Sequence, residues 1–569
     1  MKIKSLLILV LSLVTLTAFG QDGGIKGRVV SRAGRIALGD VKITMTPGGT
    51  TTVSDAQGNF VFENIPAGEY SLQFETPEFE TSNIAVRVGS QMRDINAVIL
   101  VPDTQRQMID DAVFAEFDTE TTDDAQALPT SLSASKDLFN NIASYKFSEM
   151  RFNVRGYDSQ YQDVYMNGIQ LNDAMTGYTP WSLWSGLNDA TRNQEVTSGI
   201  VASDAGLGGI GGTTNIVTSP SQMRQGLRAS LVNGNSMYRF RAMVTYASGH
   251  QDNGWSYAFS VSTRQGGNSY VNGVYYNAFG YFAAVEKQFG QRHRLALTLL
   301  GAPTERGAQQ AATQEAYDLV GNNYYNPNWG WQDGKKRNAR VRNNHEPVVM
   351  LNYTFDISDR SKLDLATSLR FGMNGYSALT WQNGPDPRPD YYRYLPSYFA
   401  LDKNMLGAAW QQVYWQANYQ NIRHFDWDKM YQTNYIQNDP VDEAQYGPGR
   451  RSNYMVEERH TDQLDWNLVA NFSHIFRNNS KIYGGLSLRR NRTEYYSEVK
   501  DLLGGDYWAD IDKFAERDFG SNAIAYQNNL DYYYRHGHAH AAKVGDKYGY
   551  DYYAHVLWTK AWAGYDFNV

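Results

Sequence analysis

Residues 151–174, RFNVRGYDSQYQDVYMNGIQLNDA, decide the fold because they combine short alternating strands with two tight turns. Arg155-Gly156 stands at the first turn and Asn167-Gly168 at the second. An Asn-Gly pair between alternating apolar residues is the strongest local signal for a β-hairpin. The stretch therefore predicts a small unit built around a hairpin, in which Gly156 and Gly168 act as turn residues.

The sequence around this hairpin extends the same unit. Residues 131–150 have a helical period, residues 186–200 predict a short helix and a strand, and a glycine cluster at 206–212 precedes a strand at 214–218. The cluster lacks the Lys and Ser/Thr of a phosphate-binding loop. We assign residues 128–220 to one small mixed α/β domain.

The first twenty residues read as a targeting segment. Lys2 and Lys4 precede an apolar run at 6–16 and the small residues of Ala18-Phe19-Gly20. This pattern indicates that residues 1–20 are a secretory signal peptide. An N-terminal anchor helix is the alternative. The chain has no Cys, which excludes a disulfide scaffold and a lipid-attachment cysteine.

Composition narrows the function classes. A formal charge of −7 gives no support for nucleic-acid binding. The 41 Tyr and 13 Trp occur in a chain whose mean hydropathy is only −0.54. Many amphipathic rings in a polar average are typical of a transmembrane β-barrel, in which lipid-facing residues alternate with wet ones.

Residues 25–100 consist of short alternating runs separated by turns, which predicts a small antiparallel β-sandwich. The spacing of Gly27-x-Val29, Asp55-x-x-Gly58-x-Phe60 and Pro66-x-Gly68-x-Tyr70 resembles the carboxypeptidase regulatory-like domain, which we assign to residues 22–101. That resemblance implies a folding or docking module. A peptidase is not expected, because no zinc-binding His and Glu set accompanies it.

Residues 225–569 alternate in the manner of a barrel wall. Trp255, Tyr257, Phe259 and Val261 alternate with small or polar residues, and the charges of Asp364 and Arg370 fall on polar positions. Short links at 358–360 and 477–479 contrast with long irregular stretches at 302–345, 374–462 and 493–548. We expect about ten strands in this region.

Taken together, Arg155-Gly156 and residues 164–169, 181–189 and 208–218 resemble the plug domain of TonB-dependent outer-membrane receptors of the Bacteroidetes type. The resemblance implies a mainly β fold: an N-terminal sandwich, a plug and an antiparallel transmembrane barrel. Plugged transporters have 22 strands. With about ten strands, residues 225–569 form a partial barrel, and we expect the N-terminal portion of a longer receptor.

The same resemblance implies energised import at the cell outer membrane, in contact with its lipid and with the TonB complex of the inner membrane. No enzyme activity, cofactor or nucleic-acid partner is expected. The acidic linker at 102–127 contains our candidate for the TonB-contacting strand, Asp111-Ala112-Val113-Phe114-Ala115. A solvated linker without a partner is the alternative. Arg155 is a candidate for an ion pair to the barrel wall or within the plug.

The extracellular ligand stays open among a metal chelate, haem, an oligosaccharide and a peptide. Residues 202–206 replace the usual plug signature of starch-utilisation importers, which leaves a surface lipoprotein partner open. The second function class is a non-transporting outer-membrane protein that serves in surface binding or adhesion.

Two sets of side chains are candidates for ligand contact. Trp181, Trp184, Trp329 and Trp331 stand among amides, where exposed rings can stack on a ligand, and packing of plug against wall is the alternative. His536, His538 and His540 lie on one side if the segment is extended, a spacing that can bind a transition metal or haem iron. A solvated loop is the alternative for the histidines.

Overall fold

The computed structural model describes residues 23–31, 37–76, 82–100, 145–146, 151–152, 159–197, 203, 205–233, 238–267, 271–290, 292–358, 360–436, 445–477, 480–520 and 522–567. These residues are mainly β, which confirms the predicted fold class. Within them, no helix has the length and apolar character needed to cross a membrane. The predicted signal peptide and the linker at 102–127 lie outside the described residues.

Seven strands form the N-terminal sandwich in two sheets, ordered β4-β1-β7 and β3-β2-β5-β6. Their apolar positions alternate inward, and Ile25, Ile43 and Leu72 are completely buried between the sheets. The strands are β1 (Gly23–Ser31), β2 (Lys42–Thr46), β3 (Thr50–Val53), β4 (Asn59–Ile65), β5 (Gly68–Glu75), β6 (Ser82–Val88) and β7 (Met92–Leu100).

The predicted antiparallel arrangement is wrong for one pair, because β1 and β7 run parallel. β7 follows β6, which belongs to the other sheet. The chain therefore reaches β1 by crossing between sheets and not through a hairpin, and such a crossing allows parallel pairing.

A second unit contains a mixed sheet ordered β11-β10-β13-β12, in which β10 and β13 are parallel. The predicted Asn167-Gly168 turn is confirmed, with φ of 50° and 81° and with Met166 paired to Ile169. The strands are β8 (Tyr145–Lys146), β9 (Arg151–Phe152), β10 (Asp163–Met166), β11 (Ile169–Gln170), β12 (Gln194–Thr197) and β13 (Thr213–Ile216), with short 3-10 helices at Ser159–Tyr161, Trp181–Trp184 and Pro220–Gln222.

The predicted helix over residues 131–150 is not borne out where the structure describes this segment. Tyr145–Lys146 pairs with Arg151–Phe152 as a short hairpin, where the sequence predicted a helix. Backbone pairing of these four residues across the turn overrides the helical period of the sequence. The rest of residues 131–150 lies outside the described residues. We call residues 159–223 the inner unit.

The largest sheet has twelve strands, all antiparallel, and we call it the wall. Ten strands follow one path, as predicted, and two short strands, β19 and β22, pair at its side. The path is β14 (Gly226–Asn233), β15 (Phe240–Ala247), β16 (Trp255–Gly266), β17 (Tyr276–Phe289), β18 (His293–Gly301), β23 (Val348–Ser358), β24 (Ser361–Trp381), β26 (Tyr454–Ile475), β27 (Lys481–Asp501) and β30 (Lys547–Asp566), with β19 (Thr304–Gly307) and β22 (Val341–His345) beside it.

Side chains alternate across the wall as the sequence predicted. In β26, Leu464, Trp466 and Leu468 are exposed on the outer face, while Asp465 and Asn467 are buried on the inner face. Arg370 in β24 is also buried on the inner face. A charge on the outer face at the middle of a bilayer costs about 2–4 kcal/mol, so this alternation fixes the strand register.

The wall strands extend further than the sequence predicted. β24 continues to Trp381 and β26 begins at Tyr454, so the predicted loop at 374–462 is too long at both ends. The predicted loop at 493–548 is likewise shortened by β27 and β30. Beyond the apolar band these strands pair through polar side chains, such as Lys500 with Glu458 at 2.6 Å. Alternation of apolar and polar residues is lost there, so the sequence pattern does not predict that the strands continue.

Small elements fill the long connections of the wall. They are α1 (Gln314–Val320), α2 (Pro396–Leu401), α3 (Met405–Ala417), α4 (Trp427–Ile436), α5 (Lys513–Phe519) and α6 (Leu530–His536), with strands β20 (Trp329–Gln332), β21 (Lys335–Asn338), β25 (Phe425–Asp426), β28 (Trp508–Ala509) and β29 (Ala541–Ala542). The predicted short links do connect β23 to β24 and β26 to β27.

Candidate functional site

The inner unit packs against the inner face of the wall through one continuous apolar core. Val164, Leu187 and Ile216 of the inner unit are completely buried in this core. Small and apolar wall residues, among them Ala258 and Phe282, contribute the other side. This contact explains why the wall alternates small residues inward and large apolar residues outward.

Asp173, at the end of the opening stretch, reaches a polar group on the wall. One carboxylate oxygen accepts hydrogen bonds from the backbone N–H groups of Met175 and Thr176 at 3.0 and 2.9 Å. The other accepts one from Gln463 at 3.2 Å, and Arg370 lies 3.9 Å away. Burial alone would raise the pKa of Asp173, but Arg370 and the two backbone donors outweigh it and lower the pKa.

Arg489 links the wall to the backbone of the inner unit. Its Nε and Nη2 atoms donate to the two carboxylate oxygens of Asp465 at 2.9 and 2.6 Å. Its Nη1 atom donates to the carbonyl oxygen of Asn172 at 2.7 Å. Arg370 lies 3.4 Å from the same Asp465 carboxylate. Two arginines and two aspartates thus form one charge group across the interface, in which Asp173 is half-buried and the other three are buried. We call this group the interface latch (Asp173, Arg370, Asp465, Arg489).

Further polar contacts surround the latch. Asn352 of the wall donates to the carbonyl oxygen of Asn167 at 3.0 Å, and Lys560 donates to Gln170 at 2.6 Å. On another side of the inner unit, Arg228 lies 3.3 Å from Asp189. The inner unit is therefore held by many separate polar contacts.

Gly186 shows how close the two parts lie. Its φ is 83°, and an added Cβ would stand 2.9 Å from Nε of Arg264. Only glycine fits a position with both this backbone conformation and this approach. The Nη1 atom of Arg264 donates to Ser185, the preceding residue, at 2.5 Å.

Two of the four candidate tryptophans pack in this interface. Trp181 and Trp184 are 5% and 4% exposed, and their rings meet edge to face at 5.3 Å. The prediction that they are exposed is wrong, because the 3-10 helix that carries them faces the apolar core. The structure places them in the packing role that the sequence left as the alternative.

Trp329 and Trp331 lie in the connections beyond the wall, on β20. Trp329 is buried, and its ring centroid lies 4.1 Å from that of His424 with the two rings tilted by 39°, whereas Trp331 is 42% exposed. Lys336 on β21 lies over both rings, at 5.0 and 5.8 Å from their centroids. The two residues have the same parity on β20, so alternation places both rings on one face of the strand. Trp329 is covered by its packing against His424, and of the four candidate tryptophans only Trp331 keeps the exposure that ligand contact requires.

Burial lowers the pKa of His424 to about 4, and the positive charges of Arg423 and Lys336 add to the effect. His424 is therefore neutral at pH 7. A neutral ring suits its position against Trp329.

The three candidate histidines gather around one aromatic ring. His536, His538 and His540 lie 4.2, 5.6 and 4.6 Å from the ring of Tyr532. The segment is not extended throughout, because α6 runs to His536 and its C-cap Gly537 has a φ of 73°. His540 instead contacts the Asp510 carboxylate at 3.1 Å.

Across the described residues, no group of three or more His, Asp or Glu side chains is arranged to hold a metal ion. Metal or haem binding by the three histidines therefore stays a prediction. The TonB-contact candidate at 111–115 and the turn residues Arg155 and Gly156 lie outside the described residues, so their roles also stay predictions.

Sequence reasoning missed the interface latch. The sequence pattern placed the charge of Arg370 on a polar position of the alternation and did not indicate its partners. A usable signal existed, because Arg370, Asp465 and Arg489 are charges placed inward on strands whose outward residues are apolar. Which partner each charge meets depends on strands far apart in sequence.

Comparisons with known proteins add three findings. Residues 24–99 match the carboxypeptidase regulatory-like domain family. The TonB-dependent transporter Oar of Myxococcus xanthus is 34% identical over 100 residues, a match that covers 16% of this chain and 9% of that transporter.

Solved structures give the third finding. The ferric-catecholate import receptor Fiu from E. coli K12 is 13% identical, with a TM-score of 0.36, over 62% of this chain and 46% of that chain. The P. aeruginosa receptor FpvA in complex with a pyoverdine and iron is 11% identical, with a TM-score of 0.39, over 75% of this chain and 45% of that chain. This chain thus spans less than half of either solved receptor.

The comparisons confirm the resemblance that the sequence predicted: this chain carries a carboxypeptidase regulatory-like domain and is similar to the TonB-dependent transporters.

Proposed function

We propose that this protein is a TonB-dependent outer-membrane receptor that imports a ligand by energised movement of the inner unit. The interface latch is the observation that carries the proposal. It holds the inner unit by buried polar contacts, and a pull on the chain that precedes this unit would have to break those contacts.

The physics of the latch suits a reversible closure. A buried ion pair contributes little net stability, because desolvation offsets much of the attraction between the charges. Such a pair nevertheless fixes one arrangement, since a displaced charge would stay buried without a partner. The closed state is therefore well defined, and the change to the open state is a population shift driven by mechanical work.

The surface of the wall supports a membrane location. Apolar side chains cover its outer face, including Leu227, Leu231 and Leu486 at 71, 76 and 66% exposure. A soluble protein rarely exposes so much contiguous apolar surface. We propose that this band lies in the outer membrane, with residues 225–569 as part of the barrel and residues 128–220 as its plug.

The remaining assignments follow from that role. Residues 22–101 act as a docking module, and the linker at 102–127 presents residues 111–115 to TonB. The ligand is a metal chelate, haem, an oligosaccharide or a peptide, and Trp331 is a contact on its route. No chemistry is catalysed, and a surface lipoprotein partner stays open.

Uptake in living cells tests the proposal. Cells that express the full-length gene are offered haem, ferric citrate, a maltooligosaccharide and a peptide digest, with and without TonB and with and without residues 104–118. We expect uptake of one of these ligands to require TonB and residues 104–118, while surface binding does not. Binding without uptake in any strain would support the surface-binding alternative instead.

A further inference from the structure

Two arginines stand on the outer face of the wall, at the end of its apolar band. Arg490 and Arg492 are exposed, and they alternate in β27 with the buried residues Arg489, Asn491 and Thr493. They have the same parity as the exposed Ile482 and Leu486 of the same strand. Both guanidinium groups therefore belong to the surface that faces lipid.

Strand pairing fixes the level of these arginines in the band. Arg490 lies opposite Trp466 of β26 and Leu557 of β30, which are 38% and 69% exposed. Arg492 lies opposite Leu464 and His555. On all three strands the outward residues change from apolar to polar at this level, on the side of the long connections. Long connections of outer-membrane barrels face the cell exterior, so this side corresponds to the outer leaflet.

Other charged side chains near Arg490 and Arg492 already form ion pairs with each other. Lys547 binds both Glu494 and Asp551, the latter at 3.0 Å. Lys500 binds Glu458 at 2.6 Å.

No described carboxylate lies within ion-pair distance of either arginine, and the one contact found is that of Arg492 with the ring of Tyr553, at 5.4 Å. Two positive charges are thus left over at the edge of an apolar surface.

We propose that Arg490 and Arg492 bind the phosphate group of an outer-leaflet lipid. The inference rests on the proposed placement of the wall in the outer membrane. A guanidinium presents parallel N–H donors that match two phosphate oxygens, and phosphate is the acceptor that a membrane surface offers. The long side chains reach the headgroup level while their methylene groups stay against apolar neighbours.

The apolar neighbours favour a lipid over soluble phosphate. Trp466, Leu464 and Leu557 flank the two guanidinium groups and would contact the acyl chains of the same molecule. Soluble phosphate has no apolar part that could contact these side chains. Attraction of basic side chains to anionic headgroups adds to the affinity and weakens with salt.

Lipid binding by the protein purified from outer membranes in neutral detergent tests the inference. Diphosphorylated lipid A is titrated and the bound lipid is counted by native mass spectrometry, for the unaltered protein and for the double variant Arg490→Gln/Arg492→Gln. The control is Arg393→Gln/Arg517→Gln, which removes two exposed arginines from the connections. We expect the first variant to lose at least tenfold in affinity and the control to bind unchanged.

Two further arms identify the ligand. Dephosphorylated lipid A should bind the unaltered protein at least tenfold more weakly, and millimolar inorganic phosphate should not displace the bound lipid. Equal binding by the first variant, equal binding of the dephosphorylated lipid, or displacement by phosphate would each overturn the inference.

The failure of the inference is separable from failure of the proposed function. If the protein fractionates with the outer membrane and imports ligand, but the arginine variant keeps its lipid, only the lipid site is wrong. If the protein is absent from that fraction, the proposed function itself is wrong.

Discussion

Arg489 in the wall donates a 2.7 Å hydrogen bond to the backbone carbonyl of Asn172 in the inner unit. The bond joins two residues 317 positions apart. Because Asp465 binds the other side of the same guanidinium at 2.6 and 2.9 Å, the arginine cannot turn away without breaking a buried ion pair. The position of the inner unit therefore depends on the ion pair of Asp465 and Arg489, both of which belong to the wall.

Arg489→Gln is expected to loosen the inner unit. Removing one partner of a buried ion pair costs about 3–5 kcal/mol, because the other charge stays buried. Hydrogen exchange of residues 163–171 should become faster in the variant. Arg490→Gln is the matched control, since it changes the next residue of the same strand on the outer face. Equal protection of residues 163–171 in both variants would contradict the role given to Arg489.

Acid should open the connection that contains Trp329. The pKa of His424 is lowered from 6.5 to about 4, so the unfolded segment takes up a proton at a higher pH than the folded one. Stability is then complete above pH 6.5 and falls as the pH drops toward 4, by a total on the order of 3 kcal/mol. Hydrogen exchange of residues 329–338 between pH 7 and 4.5 measures this fall.

His424→Phe is the control for that measurement, because it keeps a ring against Trp329 and removes the titrating group. Its exchange, corrected for intrinsic rates, should not depend on pH in this range. The same acid response in the variant would show that another group is responsible.

Gly58 in the N-terminal sandwich should not accept a side chain. Its φ is 79°, and an added Cβ would lie 2.3 Å from the carbonyl oxygen of Val29. Gly49 has a similar φ of 66° but no atom within 4 Å. Gly49→Ala should cost about 1 kcal/mol for backbone strain alone. Gly58→Ala should cost clearly more, as measured by denaturant unfolding, and equal losses would contradict the close approach.

The two tryptophans of β20 should differ in what they affect. Trp329→Ala should destabilise the connection by about 3–5 kcal/mol, because it empties a buried site. Trp331→Ala should leave the hydrogen exchange of residues 329–338 unchanged and weaken ligand binding at the cell surface. A Trp331 variant that binds the ligand normally would remove the remaining candidate for ring stacking.

Hydrophobic period and turn residues predicted those elements whose structure depends on residues close together in the sequence. The Asn167-Gly168 turn, the outward apolar residues of β26 and the ten-strand path all follow from period and turn chemistry. The parallel pairing of β1 with β7 depends on a crossing between sheets, which no short window records. The sequence also could not predict which tryptophan is exposed. Trp181 and Trp331 both stand among polar residues, and only the packing of the folded chain buries the first and leaves the second exposed.

The central claim is that import requires the inner unit to move from the wall. The chain has no natural Cys, so introduced pairs are unique. Gln170→Cys with Lys560→Cys can be joined across the interface, where the native side chains lie 2.6 Å apart, by a bis-methanethiosulfonate reagent. Each thiolate displaces methanesulfinate to form a disulfide, and a reductant later cleaves the tether. Ser487→Cys with Lys560→Cys is the control, because these two residues pair directly within the wall.

The decisive measurement is ligand uptake by cells that carry one of the two crosslinked cysteine pairs. The ligand is the one that the uptake experiment with haem, ferric citrate, maltooligosaccharide and peptides identifies. We expect the tether from inner unit to wall to stop uptake and to leave surface binding intact. Uptake should return when the reagent is cleaved, and the tether within the wall should have no effect. Uptake at the control rate with the inner unit tethered would contradict the central claim.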